Sequence, residues 1–303
     1  MSEIEGYEDF ADKVRILDTI PVETVIEEPK DKDSSDSPDE EAYKLSSDDD
    51  TFIVYISGID TYGSVNTRSR SDVNILAVVN TKTGVIQLIN TPRDYYVPLS
   101  ISNGVRDKLT HAGIYGVEVS EGTLEELYGI KIDYYVRMNF SSFEKIIESL
   151  NGIDVYSEYD FTAGSYHYTK GTNHLNGKEA LAFARERHSF VTGDVQRGKN
   201  QMEVVRAMIG KLTSKDFLYN YDEILNEISD SIQTDMPTET IYALVHYQMD
   251  NGLSWKVNSY TVTGFDSHDT TYSMPGTTAY VMVPDETAVN EAKRLIEETL
   301  KMR

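Results

Sequence analysis

Apolar residues occur in this chain as short continuous runs separated by polar segments, and such runs predict buried β-strands. The runs lie at residues 52–57, 73–79, 85–89, 133–138, 153–156, 254–262 and 278–283. The link at residues 80–84, between the second and third runs, is short and ends in glycine. These two strands should therefore pair as an antiparallel hairpin, and the run at 153–156 should rejoin the same sheet.

Between these runs, apolar residues recur at i, i+3, i+4 and i+7, the spacing of a helix that buries one face. Helices are predicted at residues 107–128, 143–150, 180–184, 194–212, 216–232, 237–248 and 285–300. Gly129 should end the first helix. Ser141 and Asp194 are placed to cap the second and the fourth helix.

The fourth predicted helix has an apolar stripe formed by Met202, Val205, Ile209 and Leu212. Its polar residues Arg197 and Gln201 lie one turn apart and should occupy a different face. Strands and helices alternate along the whole region, and at least one hairpin interrupts the alternation. The pattern predicts an α/β fold whose central mixed β-sheet is covered by helices on both faces.

The first 50 residues differ in composition from the rest of the chain. Residues 1–26 contain too few apolar side chains for a domain, and could form one helix or strand of an accessory region. Residues 27–50 hold eleven acids against three lysines, a composition that favours a flexible acidic linker. We therefore predict an accessory end plus linker at 1–50 and one folded domain at 51–303.

Charge and composition exclude several functional classes. A net charge of −23 over 303 residues argues against a nucleic-acid partner, because phosphate-backbone binding needs a broad basic face. The absence of cysteine excludes disulfides, thiolate catalysis and cysteine-ligated zinc. No apolar run reaches the roughly 18–20 residues of a membrane span, and the N-terminus has no signal-like apolar segment.

Two aspartates follow or precede predicted strands at what should be one edge of the sheet. Asp60 comes just after the first strand, and Asp72 comes immediately before the second. If these strands are neighbours, the two carboxylates converge and provide hard oxygen ligands of the kind that Mg²⁺ prefers. The alternative is that Asp60 is a turn residue and that Asp72 ends a loop.

Arginines lie close to the same strand ends. Arg70 and Arg93 carry guanidinium groups whose geometry matches phosphate oxygens. The alternative for each is a surface ion pair with Asp72 or Asp94, which would contribute little. His111 and His188 are isolated in the sequence, and we interpret them as packed or surface residues rather than catalysts.

A third basic group lies between residues 177 and 201. Arg185 and Arg187 cannot share one helix face, so a site that uses both requires the chain to leave the helix there. A helix end with cations near its negative pole would explain either arginine alone. It would not explain Arg197 and Gln201, so we predict a binding site for a pyrophosphate and a divalent metal.

Five blocks of this sequence resemble the ordered motifs of the LytR-CpsA-Psr family of cell-envelope proteins. They read IDTYGSVNTRSRSDVNILAVVN, LINTPRDYYV, KLTHAGIYG, MNFSSFEKIIESLNGIDV and EALAFARERHSFVTGDVQRGKNQ. They span about residues 52–212 in the family's order and spacing. The resemblance implies an α/β/α sandwich with a deep apolar pocket for a polyprenyl chain, and arginines at its mouth that bind the lipid's pyrophosphate.

The resemblance also implies roles for individual residues. Asp60 and Asp72 would ligate Mg²⁺ or Mn²⁺. The pyrophosphate would be bound by Arg70, Arg93, Arg185, Arg187 and Arg197, with Gln201 nearby. The residues expected to act in catalysis are Arg70, Asp72, Arg93 and Arg187.

By the same resemblance, the chain is expected to be a phosphotransferase. It would move a glycan polymer, capsular or another anionic wall polymer, from an undecaprenyl-pyrophosphate carrier to peptidoglycan through a phosphodiester. The expected location is the extracellular face of a Gram-positive cell membrane, with an anchor missing from this sequence. The alternatives are a polyprenyl-pyrophosphate pyrophosphatase and a non-catalytic envelope regulator that binds polyprenyl phosphate.

The sequence departs from the family pattern at one position of the last block. Many members carry an arginine just before the glutamine, whereas this chain has Asn200, with Lys199 beside it. The departure puts one phosphate contact in doubt, or indicates a capsule branch of the family rather than a teichoic-acid branch.

Overall fold

The computed structural model describes residues 15–16, 45 and 50–303 of the chain. The predicted accessory end and linker at 1–50 therefore lie almost entirely outside the described residues. The strands are β1 Arg15–Ile16, β2 Thr51–Ile59, β3 Ser71–Asn80, β4 Val85–Asn90, β5 Tyr96–Pro98, β6 Arg106–Lys108, β7 Tyr134–Met138, β8 Ile153–Ser157, β9 Phe161–Ala163, β10 Tyr166–Tyr168, β11 Gly171–Leu175, β12 Gln233–Thr234, β13 Lys256–Thr261, β14 Gly264–Thr271 and β15 Met274–Pro284. The helices are α1 Leu109–Tyr115, α2 Val117–Tyr128, α3 Phe140–Ser149, α4 Gly177–Arg185, α5 Asp194–Leu212, α6 Lys215–Ile228, α7 Thr238–Asn251 and α8 Glu286–Lys301.

The main sheet has the strand order β1-β13-β4-β3-β2-β7-β12. β3 pairs antiparallel with both β2 and β4, while β7 is parallel to β2 and β13 is parallel to β4. The predicted hairpin and the mixed character of the sheet are both confirmed. The central parts of β2 and β3, residues 52–56 and 75–79, are continuous apolar runs and are almost entirely buried on both faces.

Helices cover both faces of this sheet, as predicted. Alternate residues of a strand point to opposite faces, and in β2 Ile53 and Tyr55 pack with α2 and α8. Phe52 and Val54 pack on the other face, in a cluster that includes Met202 of α5. The result is the α/β/α arrangement expected for the chain.

Several local predictions were wrong. The region 107–128 is not one helix, because Gly116 has φ 142° and separates α1 from α2. The cap of α3 is Asn139, whose side chain accepts from the Ser142 N–H, and not Ser141. β8 does not rejoin the main sheet, since it pairs antiparallel with β11. The hairpin of β14 and β15 extends well beyond the one strand predicted at 278–283.

Candidate active site

A cavity of about 1220 Å³ opens between the sheet, α3, α4 and α5. Its apolar lining includes Val54, Ile56, Val73, Ala77, Val79, Ile86, Val136, Met138, Phe143, Leu181, Val204, Val205, Met208, Ile209 and Leu212. Its polar lining includes Asp60, Asp72, Arg93, Arg185, Arg187, Arg197 and Gln201. The predicted site residues therefore come together, and most of them border a single space.

The polar residues lie at one end of this cavity. Asp60 follows the last residue of β2, and Asp72 is the second residue of β3, which is its antiparallel neighbour. On α5, Arg197 and Gln201 come first, and the apolar lining residues follow as far as Leu212. From Arg197 to Leu212 the helix advances by roughly 22 Å at its usual rise per residue. We refer to the polar end as the mouth of the cavity.

The predicted separation of faces on α5 is wrong. Arg197, Gln201, Val205 and Ile209 recur every four residues, so they lie on one stripe of the helix, and all of them line the cavity. Met202 packs instead in the core cluster against the sheet. Asp194 is the first residue of α5 and makes no capping hydrogen bond, so its predicted capping role is also wrong.

Ion pairs fix the arginines and carboxylates at the mouth. Arg93 Nη1 lies 2.6 Å from Asp72 Oδ2, and its Nε lies 3.4 Å from Asp94 Oδ2. Asp72 also accepts a hydrogen bond from Thr110 Oγ1 at 3.0 Å. Burial alone would lower the pKa of Arg93, but the carboxylates of Asp72 and Asp94 raise it.

Asp60 and Arg70 form the outer pair of the site. Arg70 Nη2 lies 3.1 Å from Asp60 Oδ2, and half of the Arg70 side chain is exposed. Arg70 therefore reaches the cavity through Asp60, which lines it. The ion pair that was weighed as an alternative to binding is present for Arg93, which pairs with both Asp72 and Asp94. Arg70 pairs with Asp60 and not with Asp72 or Asp94.

Arg197 is the most enclosed arginine of the mouth, with 12% of its side chain exposed, and it pairs with Asp194 at 3.2 Å. Burial is the main cause that lowers its pKa, and the charges of Arg93 and Arg187 lower it further, against the opposing effect of Asp194. A guanidinium keeps its proton in proteins. A negatively charged ligand between these arginines would therefore relieve their repulsion.

Arg185 and Arg187 are placed by the end of α4, which stops at Arg185. Glu186 is extended, with ψ 132°, so the chain leaves the helix between the two arginines, as predicted. The Arg185 guanidinium lies 4.3 Å from the centre of the Phe140 ring, and Arg187 lies 3.6 Å from Asp194. Both side chains line the cavity.

Gly198 allows α5 to approach the end of β4 closely. A Cβ atom at this position would lie 2.5 Å from Asn90 Nδ2.

Asn200 is buried and does not line the cavity. Its Oδ1 accepts from Gln196 Nε2 at 3.1 Å, and its Nδ2 donates to the Phe183 carbonyl at 3.3 Å. Asn200 therefore joins α5 to α4 instead of facing a phosphate.

The loop between Asp60 and Arg70 is tied to the end of β7 and the start of α3. Arg137 Nη2 donates to the Thr67 carbonyl at 2.9 Å, and Asn139 Nδ2 donates to the Gly63 carbonyl at 2.8 Å. The Phe140 N–H donates to the Thr61 carbonyl. These bonds fix the loop that carries Asp60 at one end and Arg70 at the other.

Sequence reasoning missed neighbours that hold these arginines in place. Asp194 pairs with both Arg187 and Arg197, and its position three residues before Arg197 on one helix could have indicated this contact. Phe140 supports Arg185 from a different element, and no local pattern connects these two residues.

His111 is a packed residue, as interpreted, since its Nδ1 lies 2.7 Å from the buried carboxylate of Asp107.

A sequence model of the LytR_cpsA_psr family matches residues 20–295. A polyisoprenyl-teichoic acid--peptidoglycan teichoic acid transferase, TagU of Bacillus cereus, is 32% identical over 212 residues, which cover 70% of this chain and 68% of that protein. TagT of Bacillus subtilis, a transferase of the same description, is 34% identical over 229 residues, covering 72% of this chain and 69% of TagT.

Solved structures give the same relationship. The crystal structure of Bacillus subtilis TagV superimposes with a TM-score of 0.70 at 27% identity, over 84% of this chain and 98% of TagV. A structure of TagT bound to LI-WTA superimposes with a TM-score of 0.68 at 28% identity, over 86% of this chain and 94% of that one.

Proposed function

The chain belongs to the LytR-CpsA-Psr family, and we propose that it is a transferase that moves an anionic glycopolymer from a polyprenyl-pyrophosphate carrier to peptidoglycan. One observation carries the proposal, which is that an apolar cavity ends at a mouth of arginines and aspartates. A polyprenyl chain suits the apolar part and a pyrophosphate suits the arginines. The relatives are named for teichoic acid, and a polymer of that anionic class is the donor we propose.

In this proposal the arginines of the mouth bind the pyrophosphate. Arg93, Arg187 and Arg197 are already oriented by Asp72 and Asp194, so little reorganisation is needed when the donor enters. Arg185 is held against Phe140, and Arg70 reaches the mouth through Asp60. Gln201 adds a neutral polar group beside Arg197.

The carboxylates of the mouth suit a divalent ion that is bound jointly by the protein and by the phosphates of the substrate. In the described part of the chain, no group of three or more His, Asp or Glu side chains could hold a metal by itself. Mg²⁺ is commonly held by one or two carboxylates together with substrate phosphates and water. Asp60 and Asp72, which both line the cavity, would hold Mg²⁺ or Mn²⁺ in this way, and the ion would supply charge stabilisation for the pyrophosphate.

The proposed reaction is a phosphoryl transfer. A hydroxyl oxygen of the acceptor glycan bonds to the phosphorus nearer the donor glycan, and the bond from that phosphorus to the bridging oxygen breaks. Polyprenyl monophosphate leaves with the bridging oxygen, the hydroxyl proton passes to solvent water, and a phosphodiester joins the polymer to the wall. Asp72 accepts hydrogen bonds from Arg93 and Thr110, and these bonds fix the position of its carboxylate at the mouth.

The proposal places this chemistry at the extracellular face of a Gram-positive membrane, where carrier lipid and wall meet, with an anchor that joins the protein to that membrane. Across the described residues, no helix combines the length and the apolar character needed to cross a bilayer.

Product analysis with a defined polyprenyl-pyrophosphate glycan tests the proposal. With soluble peptidoglycan acceptor present, the expected products are polyprenyl monophosphate and a polymer linked to the acceptor through a phosphodiester. Release of free polymer phosphate regardless of acceptor would identify a pyrophosphatase. Binding of polyprenyl phosphate without turnover would identify a regulator.

A further inference from the structure

The hairpin of β14 and β15 lies outside the main sheet and is fixed beside the mouth. At its base, the Met282 N–H donates to the Asp94 carbonyl at 2.8 Å. At its tip, the Tyr272 N–H donates to the Arg106 carbonyl, and the Ser273 N–H donates to Asp107 Oδ2 at 2.8 Å. Because both ends are attached, the hairpin has a defined position relative to Asp94 and its partner Arg93.

One face of this hairpin carries an aromatic and acidic surface. His268 is the register partner of Tyr280, and Asp266 lies two residues before His268 on the same face. The Tyr280 hydroxyl donates to Asp266 Oδ1 at 2.7 Å. The His268 ring contacts the Tyr280 ring edge-on, with 5.8 Å between centroids. We call Asp266, His268 and Tyr280 the hairpin platform.

The hairpin platform is continuous with the mouth. Lys108 Nζ lies 5.8 Å from the centre of the Tyr280 ring and 2.8 Å from Asp94 Oδ1, and Asp94 contacts Arg93. Burial raises the pKa of Tyr280, and so do the carboxylates of Asp266, Asp94 and Asp194. Lys108 and Asp94 therefore connect the Tyr280 ring to Arg93 at the mouth.

The chemistry of this face matches an uncharged sugar. The C–H face of a pyranose packs on an aromatic ring, and hydroxyl or acetamido N–H groups donate well to an ionised carboxylate. Asp266 and His268 are exposed and Tyr280 is partly exposed, so the groups are available to a ligand. The exposed carboxylate of Asp266 would disfavour a phosphate-rich polymer, whereas Asp94 is paired with Lys108 and Arg93. Asp266 would tolerate a glycan without phosphate.

We propose that the hairpin platform is the subsite for the acceptor, and that it binds the glycan strand of peptidoglycan and directs a sugar hydroxyl toward the mouth. This assignment rests on the proposed transfer for its role in turnover. Binding of the glycan itself does not depend on that reaction and can be measured separately.

The test uses soluble, uncross-linked peptidoglycan fragments that are titrated into the purified protein without donor. Tyr280→Ala should weaken binding by about tenfold or more, because it removes the ring and the bond to Asp266. Tyr280→Phe and Asp266→Asn each keep the packing and should weaken binding by a few-fold. The matched control is Asp269→Asn on the opposite face of the same hairpin, which should bind as the parent does.

Transfer kinetics provide a second readout. Tyr280→Ala should raise the KM for the acceptor and leave the KM for the lipid donor unchanged. Parent-like binding by Tyr280→Ala and Asp266→Asn, or no binding by the parent protein, would overturn the assignment. If the parent binds fragments through Tyr280 but transfers nothing, the proposed function fails and the platform stands. If transfer occurs with an unchanged acceptor KM in Tyr280→Ala, the platform fails and the function stands.

Discussion

Arg93 and Asp72 form a 2.6 Å ion pair that joins the segment after β4 to the start of β3, at the polar end of an apolar cavity. The pair connects the two kinds of chemistry at the mouth, since one partner is suited to bind phosphate and the other to hold a metal. Both side chains are largely buried, with 23% and 22% exposed. Removing either partner would leave the other charge partly buried and unpaired, so changes at these positions should lower stability as well as activity.

Arg93→Ala should reduce the rate of polymer transfer on the order of 10²–10³-fold, because it removes a preorganised charge from the pyrophosphate site. The measurement is the initial rate with a labelled polyprenyl-pyrophosphate donor. The matched control is Arg294→Ala, which removes an exposed arginine that pairs with Glu291 and Glu298 on α8. A transfer rate in Arg93→Ala equal to that of the control would contradict the role assigned to Arg93.

Asp60→Asn and Asp72→Asn should each weaken Mn²⁺ binding in the presence of pyrophosphate by about tenfold or more, because each removes a charged oxygen ligand. Free Mn²⁺ can be followed by electron paramagnetic resonance without any turnover. Asp154→Asn is a suitable control, since that carboxylate is exposed and pairs with His174 away from the cavity. Equal Mn²⁺ affinity in all three variants would contradict the assignment of Asp60 and Asp72 as metal ligands.

Ile209→Trp should raise the KM for long polyprenyl donors by about tenfold and change the KM for short-chain donors little, because the larger side chain occupies the cavity beyond the mouth. The melting temperature should not fall, since the new ring fills existing space. Val105→Trp, at an exposed position, controls for the added indole. The prediction fails if long and short donors are affected equally.

Glu121→Gln should stabilise the protein only at neutral and higher pH. The pKa of Glu121 is raised from 4.5 to about 7, first by burial and then by Asp235, Glu125 and Glu118. The folded protein therefore holds this proton more tightly than the unfolded chain. The associated stability is complete below about pH 4.5 and is lost as the pH rises through 7.

The expected gain for Glu121→Gln at pH 8 is on the order of 1–3 kcal/mol in the free energy of unfolding, with no gain at pH 4. Urea denaturation at the two pH values measures both. Glu126→Gln, at an exposed position of the same helix, should change neither value. A gain of the same size at pH 4 and pH 8 would show that packing, and not titration, is responsible.

The central strands of the main sheet were predicted from the sequence because they are continuous apolar runs, and such runs occur where both faces of a strand are buried. The pairing of β8 with β11 could not be predicted in this way, since the choice of partner strand depends on contacts far apart in sequence. β14 was missed because its residues are mostly exposed and polar, so no apolar alternation marks it as a strand. Gly116 divides a helical pattern that otherwise continues across it.

The sequence motifs and the residue types were enough to predict which side chains come together at the site. Asp60, Asp72, Arg93, Arg185, Arg187, Arg197 and Gln201 line one cavity, and Arg70 is attached to it through Asp60. Their chemical roles remain predictions. Phe140, which supports Arg185, comes from another element and carried no signal in the sequence.

The cavity along α5 also bears on how the protein is stabilised. Val205, Met208, Ile209 and Leu212 face open space on that side, so part of their apolar surface is not covered by neighbouring side chains. On the proposed function, the lipid tail of the donor completes this part of the hydrophobic core. A bound ligand stabilises the folded state in proportion to the logarithm of its concentration over its Kd. Thermal stability should then rise when donor is loaded and fall when the lipid product departs, so that the melting temperature reports substrate occupancy.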